Sequence, residues 1–182
     1  DGSDVKEPNR FMFDRCKDWF EGKVLEKVWA AFIYDDIMQQ AHTEAYIDLY
    51  EEFKQNYPES PYLSVLEPGM EETIRFHKTE LDESLYHLIP YDSTMTALKD
   101  AWKSLKGKVV YVDVWATWCG PCKEMFQYVP AFKEKAKDLE VAYLYLSIDR
   151  PQAEKIWKKS IPYYNLKGHH LLAGKELAQA VY

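Results

Sequence analysis

An α/β fold preceded by a helical region is what the sequence predicts, and three observations carry that reading. Through about residue 57 apolar residues recur at helical spacing, and from about residue 84 short apolar runs alternate with helical stripes. One run, Val109-Val110-Tyr111-Val112-Asp113-Val114, is nearly continuous, as expected for a strand covered on both faces. Strands separated by helices of this length imply βαβ units and a parallel sheet. We therefore expect a helical N-terminal region over residues 1–80 and an α/β domain over residues 81–182.

In chain order, Cys16, Phe20, Val24, Val28 and Phe32 recur every four residues, with Leu25 and Trp29 widening the stripe. Tyr46, Leu49, Tyr50, Phe53 and Tyr57 define a second amphipathic helix. Pro58 and Pro61 end it, and Pro68-Gly69 is read as a turn. The pattern over residues 62–80 is weak and fits either helix or loop. Residues 85–89 form a short strand stopped by Pro90. After the polar start Asp92-Ser93-Thr94, a helix carries Leu98, Ala101, Trp102 and Leu105 and stops at Gly107. The strand 109–114 is followed by a helix presenting Met125, Val129, Phe132, Ala136 and Leu139. A second buried strand covers 141–148, and Pro151 opens a helix to about Ser160.

Composition narrows the function classes. The 182 residues are 47% hydrophobic and 15% aromatic, enough for a real core. A net charge of -7 argues against nucleic acid as a partner, because phosphate binding needs concentrated Lys and Arg. No apolar run reaches the length of a membrane span. The first residues, Asp-Gly-Ser-Asp-Val-Lys-Glu-Pro, lack the basic-then-apolar order of a signal peptide, which leaves both a cytosolic protein and a removed leader open.

Of three cysteines, two form Cys119-Gly120-Pro121-Cys122 and the third, Cys16, is distant. A secreted disulfide framework would need more cysteines in a shorter chain, so the count points to redox chemistry. Cys119 falls where a strand ends and a helix begins. There the first-turn N–H groups and helix dipole stabilise a thiolate. Cys122, one turn on, can attack a mixed disulfide formed at Cys119. Gly120 lets a substrate backbone approach, and Pro121 stiffens the turn and removes a competing N–H. Zinc is the alternative use of such a pair, but it commonly takes four ligands. Only Cys16, His169 and His170 remain, all remote in sequence, so no metal is expected. His169 and His170 read as surface or strand-end residues, and Cys16 as a buried, inert thiol.

Asp113 interrupts an apolar strand six positions before Cys119, where an ionised carboxylate is costly. Burial should raise its pKa and fit it to trade a proton with Cys122. The plainer reading is a strand-end Asp satisfying a backbone group or a Lys. Trp115 and Trp118 bracket the strand end and could shield the site, though aromatic packing explains them almost as well. Lys123 adds a positive field near Cys119 or is simply solvated.

The stretch from Val110 to Lys123, Val-Tyr-Val-Asp-Val-Trp-Ala-Thr-Trp-Cys-Gly-Pro-Cys-Lys, closely resembles the active-site region of the thioredoxin superfamily. Its Trp-Ala-Thr-Trp-Cys wording looks most like the TlpA/ResA-like branch of exported bacterial thiol–disulfide oxidoreductases, and the downstream strand Val-Ala-Tyr-Leu-Tyr-Leu-Ser-Ile-Asp looks like its Bacteroidetes members. The resemblance covers roughly residues 84–182; the helical region before it is a weaker match.

It implies a three-layer α/β/α thioredoxin-like fold, with Cys119 attacking, Cys122 resolving and Asp113 the buried acid. The redox-active Cys119–Cys122 disulfide would serve in place of any cofactor. It also implies the bacterial cell envelope or periplasm, and a partner protein carrying a disulfide or dithiol, an apocytochrome being one example. The Gly120-Pro121 dipeptide points to a reductant, with a potential near the thioredoxin value of about −270 mV. The family's cis-proline loop, last hairpin and final helix find no match here: Pro130 and Pro151 lie on helices and Pro162 comes too early. The domain is thus expected to be incomplete at its C-terminus, its strand 109–114 missing one neighbour. If the chain is whole, that edge should be covered by the helical arm or by domain swapping with a second copy. Two functions compete: a thiol–disulfide oxidoreductase, and a non-catalytic partner-binding or scaffold module built on a truncated thioredoxin-like domain.

Overall fold

The computed structural model describes residues 8–90, 95 and 97–181. The chain divides into two compact units, residues 1–78 and 79–182. The N-terminal unit is helical: α1 (Pro8–Cys16), α2 (Gly22–Met38), α3 (Ala45–Asn56) and α4 (Leu63–Lys78). Its core gathers Phe13, Trp29, Ile33, Leu49, Phe53, Leu66 and Met70. Tyr46, Leu49, Tyr50 and Phe53 of the second stripe are all buried on α3.

Two expectations for this unit need correction. The four-residue stripe does not run through one helix: the chain breaks between α1 and α2, and Phe20 and Val24 are exposed. A strict period of four drifts around a helix of 3.6 residues per turn, so the buried face moves to Trp29, Ala30 and Ile33. Pro68-Gly69 is no turn but lies inside α4. There Leu66, Met70, Thr73 and Phe76 are buried at helical spacing, and this packing outweighs the hydrogen bond that proline forfeits. Gly69 is matched to that packing, because a Cβ at its position would overlap Ile37 of α2.

The second unit is a four-stranded parallel sheet: β1 (Tyr86–Leu88), β2 (Val109–Trp115), β3 (Val141–Ser147) and β4 (Gly168–Leu172), in the order β1-β4-β3-β2. Alternation along the strands sends Val110, Val112, Leu144, Leu146 and Leu171 to one face, under α5 (Leu98–Ala101) and α9 (Lys175–Val181). Trp115 and Tyr145 face the other side with Phe126, Trp157 and Ile161, beneath α6 (Gly120–Met125), α7 (Val129–Lys135) and α8 (Glu154–Tyr163). The result is a three-layer α/β/α arrangement with β3 paired on both sides. The polar helix start expected at Asp92-Ser93-Thr94 lies outside the described residues. Asp100 of α5 accepts from the N–H of Ala97 at 3.0 Å and so closes that helix's first turn.

β2 departs from the expectation of a strand covered on both faces. Val109, Tyr111 and Val114 are exposed, so neither face is fully covered. Among the described residues β2 pairs only with β3, which agrees with the expected lack of one neighbour. The helix after the cysteines is also broken, by a 3-10 turn at Phe126–Tyr128 ahead of Pro130 in the first turn of α7. Register shifts there, so Phe126 rather than Met125 enters the core. The helix at Pro151 likewise opens as a 3-10 turn, Pro151–Ala153, before α8.

Gly168 begins β4 at φ +147, and a Cβ there would stand 2.8 Å from the Tyr143 carbonyl oxygen. Both the dihedral and the backbone obstacle resist relaxation. Gly168→Ala is expected to cost about 2 kcal/mol, read as a lower urea midpoint for the second unit. An unchanged midpoint would show that β4 can shift away from β3.

Candidate functional site

The site is built where β2 ends. Its ladder with β3 is extended by Ile148, whose N–H donates to the Trp115 carbonyl at 3.0 Å. A turn follows, closed by the Cys119 N–H donating to the Ala116 carbonyl at 3.0 Å, and α6 starts at once. Cys119 is the N-cap of α6, extended at φ -83 and ψ 93, and Pro121 lies in the first helical turn, where its missing N–H costs nothing. Cys119 and Cys122 are disulfide-bonded, with Cα atoms 5.3 Å apart. The Cys122 N–H donates to Cys119 Sγ at 3.3 Å. On reduction the same N–H faces the Cys119 sulfur, so a thiolate there is born with a donor in place.

A cleft of about 360 Å³ opens beside the pair, lined among others by Val114, Trp118, Cys119, Cys122, Ile148 and Val181. Gly120 borders open space, with nothing within 4 Å of an added Cβ. Trp118 is 65% exposed at the rim. Trp115, by contrast, is 1% exposed and packs edge-on against Phe126 at 5.3 Å. It is a core side chain that also lines the cleft from beneath. Lys123 is buried, which sets aside the solvated reading.

Asp113 shares the parity of Tyr111 and Trp115 and therefore faces the layer that holds α6 and α7. It is half-buried, and burial holds its carboxyl above the usual aspartate range. Its strand neighbour Tyr145 is fully buried, and burial together with the Asp113 charge raises the phenol. His170 stacks on Tyr145 at 5.0 Å, and its Nε2 donates to the Leu166 carbonyl 2.7 Å away; burial lowers its pKa to about 4. This corrects the surface reading of His170, since β4 is an inner strand. Lys133 lies over the rings of Tyr143 and Tyr145, with its amine lowered to about 8 by burial.

A proton bound more tightly in the fold than in the open chain makes stability fall as pH rises. For Asp113 the fall begins near the ordinary aspartate pKa and ends above its raised native value. Asp113→Asn has no such loss. Its urea midpoint relative to the unaltered chain is expected to improve as pH rises from the ordinary aspartate range, about 4, and to level off above the raised native value. A constant difference over that range would mean that Asp113 is not desolvated.

Sequence reasoning missed one group of residues entirely. Asp149, 3% exposed just past β3, accepts from the Thr117 N–H at 2.8 Å and the Thr117 hydroxyl at 2.7 Å. Ser147 Oγ donates to the same carboxylate at 2.7 Å and accepts from the Asp149 N–H at 3.1 Å. The available signal was a polar Ser-Ile-Asp ending on an otherwise apolar strand. Cys16 is buried in the other unit, on α1. Among the described residues no cluster of three or more His, Cys, Asp or Glu could hold a metal ion.

A parallel sheet with helices on both faces, carrying a Cys-Gly-Pro-Cys helix start at the end of a strand, is the thioredoxin-like α/β fold. Residues 92–180 match the family described as Redoxin. The chain is similar to the thiol-disulfide oxidoreductase ResA of a Bacillus cereus strain, 33% identical over 69 residues, which are 36% of each protein. It is also similar to a thioredoxin of Streptomyces clavuligerus, 36% identical over 59 residues, or 32% of this chain and 55% of that one. The match thus spans about a third of the ResA length. A solution structure from Bacteroides vulgatus, of a protein provisionally assigned as a thiol-disulfide oxidoreductase, aligns at 35% identity over 39% of this chain and 46% of its own, with a TM-score of 0.34.

Proposed function

We propose that the protein is a thiol–disulfide oxidoreductase that reduces disulfides in partner proteins through Cys119 and Cys122. The observation that carries this is the placement of Cys119 as the cap of α6, its sulfur on the Cys122 N–H and beside an open cleft. In the reduced protein the Cys119 thiolate attacks one sulfur of a partner disulfide. A mixed disulfide forms and the partner's other sulfur leaves as a thiolate. Cys122, losing its proton, then attacks Cys119 Sγ; the partner departs with both cysteines reduced and the Cys119–Cys122 disulfide is formed. Asp113 takes up the Cys122 proton, a role that its half-buried position and raised pKa suit. Trp118 offers the exposed aromatic surface on which a partner rests.

The Gly120-Pro121 turn supports the reducing direction. The resemblance to the exported TlpA/ResA-like branch supports a place in a bacterial envelope, and a Bacteroidetes-type origin. Among the described residues no helix is long and apolar enough to cross a membrane. Among the described residues the edge of β2 away from β3 is unpaired, which supports a further strand pairing there. A partner-binding module without catalysis is the competing reading, favoured by that same open edge.

Titration of the cysteine pair in dithiothreitol redox buffers, paired with an insulin-reduction assay, separates the two. The oxidoreductase reading expects one two-electron transition near about −270 mV and catalysed insulin precipitation. A pair that never cycles, or cycles without reducing insulin, supports the module.

A further inference from the structure

Asp149 stands out once the cysteines are accounted for. It is a carboxylate almost wholly withdrawn from water, and Arg150, its neighbour in sequence, is exposed. Its hydrogen bonds go to Ser147 on the strand side and to both the backbone and the hydroxyl of Thr117 on the turn side. Two bonds to one residue fix both the position and the rotation of that residue. Thr117 lies two positions before Cys119, inside the turn closed by the bond from Cys119 to Ala116. A buried charge left unpaired is expensive, so the Thr117 hydroxyl and N–H are what make this carboxylate tolerable.

We infer that Asp149 is a positioning residue for the dithiol: through Thr117 it clamps the turn 116–119, so that the Cys119 sulfur meets the Cys122 N–H and the cleft. The inference deepens the proposed oxidoreductase reading and rests on it for its biological meaning. Its physical content, the state of the Cys119 thiol, stands apart from any partner. The clamp also moderates its own charge. Ser147 and Thr117 together place three donors on the carboxylate, and with the Thr117 hydroxyl removed the turn loosens. A looser turn holds the Cys119 sulfur less firmly on the Cys122 N–H, which acts against the Cys119 thiolate.

The test follows iodoacetamide alkylation of Cys119 in the reduced full chain as a function of pH, with peptide mapping to separate it from Cys122 and Cys16. Thr117→Val keeps the shape and the N–H but removes the hydroxyl donor. It is expected to slow alkylation at neutral pH about three- to tenfold, by shifting the thiol's titration to higher pH. Thr117→Ser restores the donor and is expected to restore the profile. In an Asp149→Asn background Thr117→Val should add little, because the two side chains act through one another. Should Thr117→Val fail to fold, Thr117→Ala supports the same comparison without filling the space. A Thr117→Val chain that unfolds at lower temperature yet keeps the original alkylation profile would reduce the clamp to a structural tie and overturn the inference. So would full additivity with Asp149→Asn. Failure of insulin reduction with the alkylation shifts intact would instead count against the oxidoreductase reading and leave the clamp standing.

Discussion

Replacing Cys119 with serine is expected to bring insulin reduction down to the uncatalysed rate, a loss on the order of 10³-fold or more. The hydroxyl that replaces the thiol is no nucleophile near neutral pH, and no other described cysteine can stand in. Cys122 sits inside α6, past the helix start, so it lacks the cap position that favours a thiolate. Cys16 is buried on α1. Cys16→Ser should therefore leave the rate unchanged. Retention of appreciable activity in Cys119→Ser would assign the attack to another thiol.

The largest expected effect on stability comes from Trp115→Ala. The ring is 1% exposed and packs in the core that also holds Phe126, Trp157, Ile161 and Leu166. Removing it leaves a cavity directly below α6, at a cost of about 3–5 kcal/mol read from urea unfolding of the second unit. Trp118→Ala provides the contrast. At 65% exposure it has little packing to lose, so its unfolding midpoint should hold while the KM for a protein disulfide rises. A small loss for Trp115→Ala together with a large one for Trp118→Ala would exchange the roles given to the two rings.

That contrast shows where the sequence was informative. Both tryptophans flank the same strand end, and nothing local separates the one that packs from the one that faces solvent. Where the strand stops separates them: Trp115 is the last residue of β2 and faces the layer of α6 to α8, whereas Trp118 lies in the turn beyond it. Cys119 and Cys122 were legible because their chemistry needs only local geometry, a strand end running into a helix start. The burial of Asp113 and its raised pKa were legible because a charge in an apolar strand is conspicuous. Asp149 was not, since its meaning lies in bonds to a residue 32 positions away. The unpaired edge of β2 was anticipated from the strands that find no match in the sequence, whereas the exposure of Val109, Tyr111 and Val114 was not, because an apolar run alone does not say how fully each face is covered. Lys123 left two readings open, a field near Cys119 or a solvated residue, and its burial excludes only the second.

One experiment reaches the central claim without intermediate assumptions. Cys122→Ser leaves the attacking thiol and removes the one that would release the partner. Incubated in reduced form with insulin, whose disulfides supply the target, it should accumulate a one-to-one adduct on a non-reducing gel. Peptide mapping should place the linkage at Cys119, and dithiothreitol should dissolve it. The unaltered chain should show almost none, since Cys122 resolves the intermediate as it forms. No adduct with Cys122→Ser, or an adduct joined through Cys16, would contradict disulfide exchange at this site.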